Sequence, residues 1–111
     1  MDCVLTQACY HSFMIIELSD KQVEEMQVKV FKALADPVRL AIVRYLKKVD
    51  REVTCGEVGA AINMSKSAGS YHFRLLREAG LTKTRKESRE KYVSLNTEAF
   101  ELYVTDFFEN L

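Results

Sequence analysis

Residues 65–81 read SKSAGSYHFRLLREAGL, and this stretch decides the fold. It opens on Ser65, a small hydroxyl residue suited to capping a helix, and closes on Gly80, the usual helix terminator. Between them Ser67, Ser70, Tyr71 and Arg74 form a polar face with hydrogen-bonding tips, and Phe73, Leu75, Leu76 and Ala79 form an apolar one. No carboxylate precedes Glu78 on the polar face, so nothing there repels a phosphate. The pattern predicts a helix shaped to lie in the groove of a duplex.

Working back from it, Thr54 and Glu57 have capping-box spacing, with Val53 placed to staple onto Val58. They predict a short helix over about 55–62, broken at Asn63-Met64 before Ser65 opens the next. Two helices joined by a tight turn, the second with a polar face, make a helix-turn-helix. Upstream, Asp36 caps and Pro37 takes the first-turn position, where a missing N–H costs nothing. Val38, Ala41, Ile42, Tyr45, Leu46 and Val49 follow at three-four spacing. Ser19, with Gln22 as capping partner, opens an earlier helix striped by Val23, Met26, Val30 and Leu34. Residues 1–18 have no clear period and read as a partly ordered arm.

After Gly80, residues 81–86 and 91–95 read as strands, with Glu87-Ser88-Arg89-Glu90 as the turn between them. This hairpin is a wing. Asn96 or Thr97 then caps a last helix, on which Phe100, Tyr103, Val104, Phe107, Phe108 and Leu111 make an apolar stripe. In a domain this small, so aromatic a terminal helix needs a partner surface, and a two-fold partner is favoured over the domain's own core. The expectation is therefore a mainly α protein with a small β-hairpin wing, a dimeric winged helix-turn-helix. Its parts are an arm (1–18), the winged domain (19–96) and a C-terminal dimerisation helix (97–111).

A chain of 111 residues is one domain, short enough for oligomerisation to add burial. The formal net charge is zero, but its distribution is uneven. Residues 66–91 hold eight basic side chains against three acids, about +5, whereas residues 92–111 hold four acids and no base, about −4. Such polarity presents a basic face to phosphates. No membrane-length apolar run and no basic leader are present, so a cytoplasmic protein is expected. Three cysteines without Cys-x-x-Cys spacing argue against a disulfide framework. With two histidines, no evident acid pair and no glycine-rich phosphate loop, no nucleophile–base arrangement can be drawn and an enzyme is not expected.

Lys32-Ala33-Leu34-Ala35-Asp36-Pro37-Val38-Arg39-Leu40, followed by Ser65-x-Ser67-x-x-Ser70-Tyr71-His72-Phe73-Arg74 and Leu76-Arg77-Glu78-Ala79-Gly80-Leu81, resembles the ArsR/SmtB family of bacterial repressors. The resemblance continues through the wing, Arg85-Lys86-x-x-Arg89-Glu90, to Val93-x-Leu95, and spans roughly residues 30–96. It implies a winged-helix homodimer, built through its first and last helices, that represses transcription and releases operator DNA when an effector binds. Two positions depart from the pattern. Gly69 stands where relatives have Val or Ile, and Ser88 stands at the wing tip where they commonly have Gly.

Metal-sensing relatives carry Glu-Leu-Cys-Val-Cys-Asp-Leu before the recognition helix; here Thr54 and Gly56 occupy the ligand positions, with Cys55 between them. The C-terminal zinc site of other relatives needs a histidine on the last helix, and residues 97–111 have none. No standard metal site is expected and no cofactor. Cys55 at a helix N-terminus is where a dipole favours thiolate, so Cys3, Cys9 and Cys55 are candidate thiol sensors for arsenite, a soft metal or reversible oxidation. The alternative is an ordinary first-turn residue with incidental arm cysteines.

The candidate DNA contacts are Ser65, Lys66, Ser67, Ser70, Tyr71 and Arg74 on the helix and Lys83, Arg85, Lys86, Arg89 and Lys91 on the wing. Ser65 reads as cap and phosphate contact, Ser67, Ser70 and Tyr71 as base readers, the wing cations as phosphate or minor-groove contacts. His72 reads as a half-buried, hydrogen-bonded core residue. The alternative function is a winged-helix module that docks protein through the same basic face.

Overall fold

Two helices ahead of the helix-turn-helix build the scaffold of the computed structural model, which describes residues 20–109 and 111. Helix α1 (Asp20–Leu34) buries Val30 and Ala33 and half-buries Val23, Met26 and Leu34, as its stripe requires. The opposite face leaves Val28 and Phe31 exposed. Ser19 lies outside the described residues, as do Cys3 and Cys9 and the expected arm. Helix α2 (Pro37–Val49) starts on Asp36, whose carboxylate accepts from the N–H groups of Val38 (2.9 Å) and Arg39 (3.1 Å). It drives Ile42 and Leu46 into the core.

Strand β1 (Val53–Thr54) was not legible in the sequence: Val53 does not simply staple a helix but pairs with Val93. Two residues carry no periodicity, and only the partner strand defines them. Thr54 then caps α3 (Cys55–Ala61), its hydroxyl accepting from the N–H of Glu57 at 3.0 Å. The reciprocal half of the expected capping box is absent. The Glu57 carboxylate instead accepts from Tyr45 Oη and Arg51, both at 2.9 Å.

Helix α4 (Lys66–Glu78) ends in a Schellman motif. Leu81 N–H donates to the Leu76 carbonyl (3.0 Å), Gly80 N–H donates to that of Arg77 (2.9 Å), and Gly80 takes φ +79°. The leucines at the two ends of that motif, Leu76 and Leu81, are fully buried.

Strands β2 (Thr82–Glu87) and β3 (Glu90–Leu95) complete a three-stranded antiparallel sheet in the order β1-β3-β2. Glu87 pairs with Glu90, so the wing turn is only Ser88-Arg89, tighter than the four residues expected. That turn puts Ser88 at φ +57°, the left-handed backbone glycine would adopt without strain.

Asn96 does not cap the last helix with its side chain. Its Nδ2 donates to the Gly80 carbonyl at 2.9 Å and its N–H to that of Leu81 at 2.9 Å, tying the exit of the hairpin to the end of α4. The last helix is also not one continuous α-helix. Helix α5 (Thr97–Phe100) passes into a π-helical turn, Glu101–Thr105, which re-aims the stripe. Tyr103 is buried in the chain's own core, and Phe100 and Val104 pack against that core. Phe107 meets the Phe31 ring edge-on, centroids 4.7 Å apart. Of the six stripe residues expected to face a partner, Phe108 and Leu111 remain well exposed.

Candidate nucleic-acid interface

The turn between α3 and α4 sets the attitude of the recognition helix. Asn63 takes φ +58°, and the N–H of Met64 reaches back to the Gly59 carbonyl at 2.8 Å. A Cβ on Gly59 would lie 3.3 Å from the Met64 carbonyl oxygen, so the close approach of the backbones calls for glycine. Ser65 serves as the α4 cap, its hydroxyl accepting from the Ala68 N–H at 3.2 Å. Helix α4 then buries Gly69, Phe73 and Leu76 and exposes Lys66, Ser67, Ser70, Tyr71 and Arg74, the face read from the sequence. The Arg74 guanidinium lies 5.4 Å from the centre of the Tyr71 ring and 3.8 Å from the Glu78 carboxylate.

Register divides the wing cations between two faces, because residues directly opposite in an antiparallel pair share a face. Thr84 pairs with buried Val93 and Lys86 with Lys91, and these form the side turned toward α4. Arg85 pairs with Tyr92 and Lys83 with Ser94 on the other side. Between α3, α4 and the inner wing face runs an open groove of about 830 Å³. Lys66, Arg74, Arg77, Lys86, Arg89 and Lys91 line it, opposed by the single acid Glu90. Arg77 is not among the residues singled out from the sequence, although its spacing of seven from Ser70 is the signal that could have found it.

Arg85 does not line this groove. Its Nε donates to both Glu52 carboxylate oxygens (3.2 and 3.0 Å), its NH2 donates to Oε1 at 2.8 Å, and its NH1 donates to Glu87. The guanidinium stands 4.6 Å from the centre of the Tyr92 ring. Hydrogen bonding from Arg85 holds the Glu52 carboxyl below its ordinary range, and the two carboxylates push the Arg85 guanidinium still further from deprotonation.

Cys55 borders the groove and is half-buried. Burial pushes its thiol up and Lys91 pulls the other way, so burial opposes the lowering that a helix N-terminus is expected to supply. Among the described residues no three His, Cys, Asp or Glu side chains come together as a metal site. No helix among them is long and apolar enough to cross a membrane. His72 is mostly buried, with Nδ1 3.0 Å from Arg39 NH1 and 3.9 Å from the Asp36 carboxylate.

Residues 34–85 match the family model of a helix-turn-helix domain. The chain is 51% identical over 102 residues to YceK, an uncharacterized HTH-type transcriptional regulator of Bacillus subtilis, covering 92% of this chain and 99% of that one. It is 37% identical over 68 residues to the transcriptional repressor SdpR of the same organism, covering 61% of this chain and 73% of that one. The solution structure of a homodimeric winged helix-turn-helix DNA-binding domain from Mycobacterium bovis, a candidate ArsR-family regulator, superposes with TM-score 0.66 at 25% identity, covering 78% of this chain and 81% of that one.

Proposed function

The chain belongs to the ArsR/SmtB family of winged helix-turn-helix transcriptional regulators, and from that premise we propose that two copies act together as a repressor on operator DNA. The observation that carries this reading is the groove itself: six cations against one acid, between the recognition helix and the wing. Helix α4 enters the major groove with Ser67, Ser70 and Tyr71 at base edges, while Lys66, Arg74, Arg77, Lys86, Arg89 and Lys91 neutralise the flanking phosphates. The two copies meet through the apolar surface left by α1 and the C-terminus, where Val28, Phe31, Phe108 and Leu111 are exposed. That surface holds the two α4 helices about 34–36 Å apart, one turn of the duplex. An effector that prefers a different spacing shifts the dimer away from DNA.

Titration of the protein onto duplex from upstream of its own gene, against a scrambled duplex, tests the proposal. Lys86→Gln with Lys91→Gln is expected to weaken binding to both duplexes and to flatten the dependence on salt by about 0.9 for each phosphate no longer neutralised. Exchanges at Ser67 or Tyr71 are expected to change which duplex is preferred. Equal binding to both duplexes, with no response to salt or to either set of substitutions, would sink the reading in favour of a protein-docking module.

A further inference from the structure

We propose that Arg85 is a positioning residue for DNA binding, one that fixes the wing against the helix-turn-helix while the phosphate contacts fall to the opposite face of the hairpin. The inference rests on the DNA-binding reading above and changes the role a wing arginine would be given by charge alone.

Three observations carry it. Register places Arg85 with Tyr92 on the face turned away from α4, whereas Lys86 and Lys91 share the face that lines the groove. The fork of the guanidinium is already engaged: Nε and NH2 on Glu52, NH1 on Glu87, and its plane near the Tyr92 ring. A phosphate would have to displace two carboxylates to gain one cation. The third observation is where the linkage leads. Glu52 immediately precedes β1, which lies beyond β3 from Arg85, and β1 ends on Thr54, the cap of α3. The Arg85–Glu52 pair therefore spans the width of the sheet and joins the outer wing strand to the first helix of the helix-turn-helix.

Half-exposed ion pairs add little to folding stability, so the consequence of this one lies in geometry. A hairpin held in the sheet only through the pairing of β3 with β1 can swing; one whose outer strand is also clamped to the root of α3 presents Lys86, Arg89 and Lys91 at a fixed angle to α4. The clamp needs a planar, bidentate, stacking side chain, which lysine does not supply.

The test uses the full chain, with duplex titrations over a salt series and hydrogen exchange of the β2 and β3 amides in the free protein. Arg85→Lys, Arg85→Gln and Glu52→Gln are each expected to weaken binding on the order of fivefold with the salt slope unchanged. All three should speed wing amide exchange while the thermal midpoint stays near that of the unsubstituted protein. Lys86→Gln should lower the salt slope by roughly one phosphate per protomer with wing exchange unchanged. An Arg85→Lys protein that binds like the original while Arg85→Gln loses slope would make Arg85 a phosphate contact and overturn the proposal, as would tighter binding by Glu52→Gln. Absence of salt-dependent binding in the unsubstituted protein would fail the repressor reading instead. Wing exchange then still decides: unchanged exchange in Arg85→Lys and Glu52→Gln removes the clamp.

Discussion

Arg39 NH1 donates to Nδ1 of His72 across 3.0 Å, joining the first turn of α2 to the middle of the recognition helix. Arginine has no acceptor and stays protonated, so that ring nitrogen must accept and the imidazole carries its proton on Nε2. The same guanidinium donates through Nε to the Ala33 carbonyl at 2.7 Å, at the last turn of α1. One buried side chain thus holds three helices in register.

Arg39→Met and His72→Leu are each expected to lower unfolding free energy by about 2 kcal/mol, since each leaves a buried polar partner unpaired. The double variant should lose less than the two single effects added, because the pair acts as a unit. Urea unfolding of the four proteins measures this coupling; strictly additive effects would show that the two side chains act independently.

Acid should loosen the same junction. The Asp36 carboxyl is held below its ordinary 3.8, first by the Arg39 N–H and then by the charge of Arg39 and the Val38 N–H, with burial working against them. A carboxyl whose folded value is depressed contributes stability that is present above its unfolded value and is lost as pH falls through the folded one. Thermal unfolding followed from about pH 6 to about pH 2 should show that loss below 3.8, and Asp36→Asn should flatten it. An identical acid profile in the Asn variant would place the sensitivity elsewhere, with Glu52 and Glu57, whose carboxyls Arg85 and Tyr45 respectively hold low, as the next groups to substitute.

Two glycines separate what a helix wants from what a turn needs. Gly69 costs about 1 kcal/mol against alanine by helix propensity. A Cβ there would meet the terminal methyl of Met64 at 3.2 Å, an atom that can rotate away. Gly69→Ala is therefore expected to be neutral or to raise the thermal midpoint. At Gly59 the neighbour is the Met64 carbonyl oxygen at 3.3 Å, a backbone atom fixed by the turn into α4. Gly59→Ala should lower the midpoint and weaken DNA binding together. Opposite signs for the two substitutions in thermal unfolding are the outcome to look for.

These cases show what the chain displays openly and what it conceals. Asp36, Thr54, Ser65 and Gly80 act on backbone groups within a few residues, so their local pattern announced α2, α3, α4 and the stop before the wing. Arg39, Arg85 and β1 were hidden for one reason: their partners lie far away in sequence. His72 is 33 residues from Arg39, and Glu52 is 33 from Arg85. Charge and spacing alone therefore group Arg85 with its neighbours as a phosphate or minor-groove contact and say nothing of its pairing with Glu52. Alternation on β2 could have divided the wing cations, but only once the pairing with β3 was known. The π-helical turn was hidden too, because an aromatic stripe reads the same before and after the helix changes its winding.

That change of winding makes the C-terminal stripe two surfaces with separable effects. Tyr103 is 8% exposed and packed in the chain's own core, so Tyr103→Ala should cost the single protomer about 3 kcal/mol in unfolding. Phe108 is 81% exposed, and it lies beyond Phe107, whose ring rests on Phe31 of α1. Phe108→Glu removes nothing from the core and puts a charge on the apolar surface that a second copy would cover. It should leave the unfolding of a dilute monomer unchanged, shift sedimentation from dimer toward monomer, and weaken operator binding. That weakening reflects each protomer having to find its half-site without the other. If Phe108→Glu sediments as the unsubstituted chain does while Val28→Glu or Phe31→Glu dissociates it, the copies meet on α1 alone and the last aromatic residues lie outside the contact.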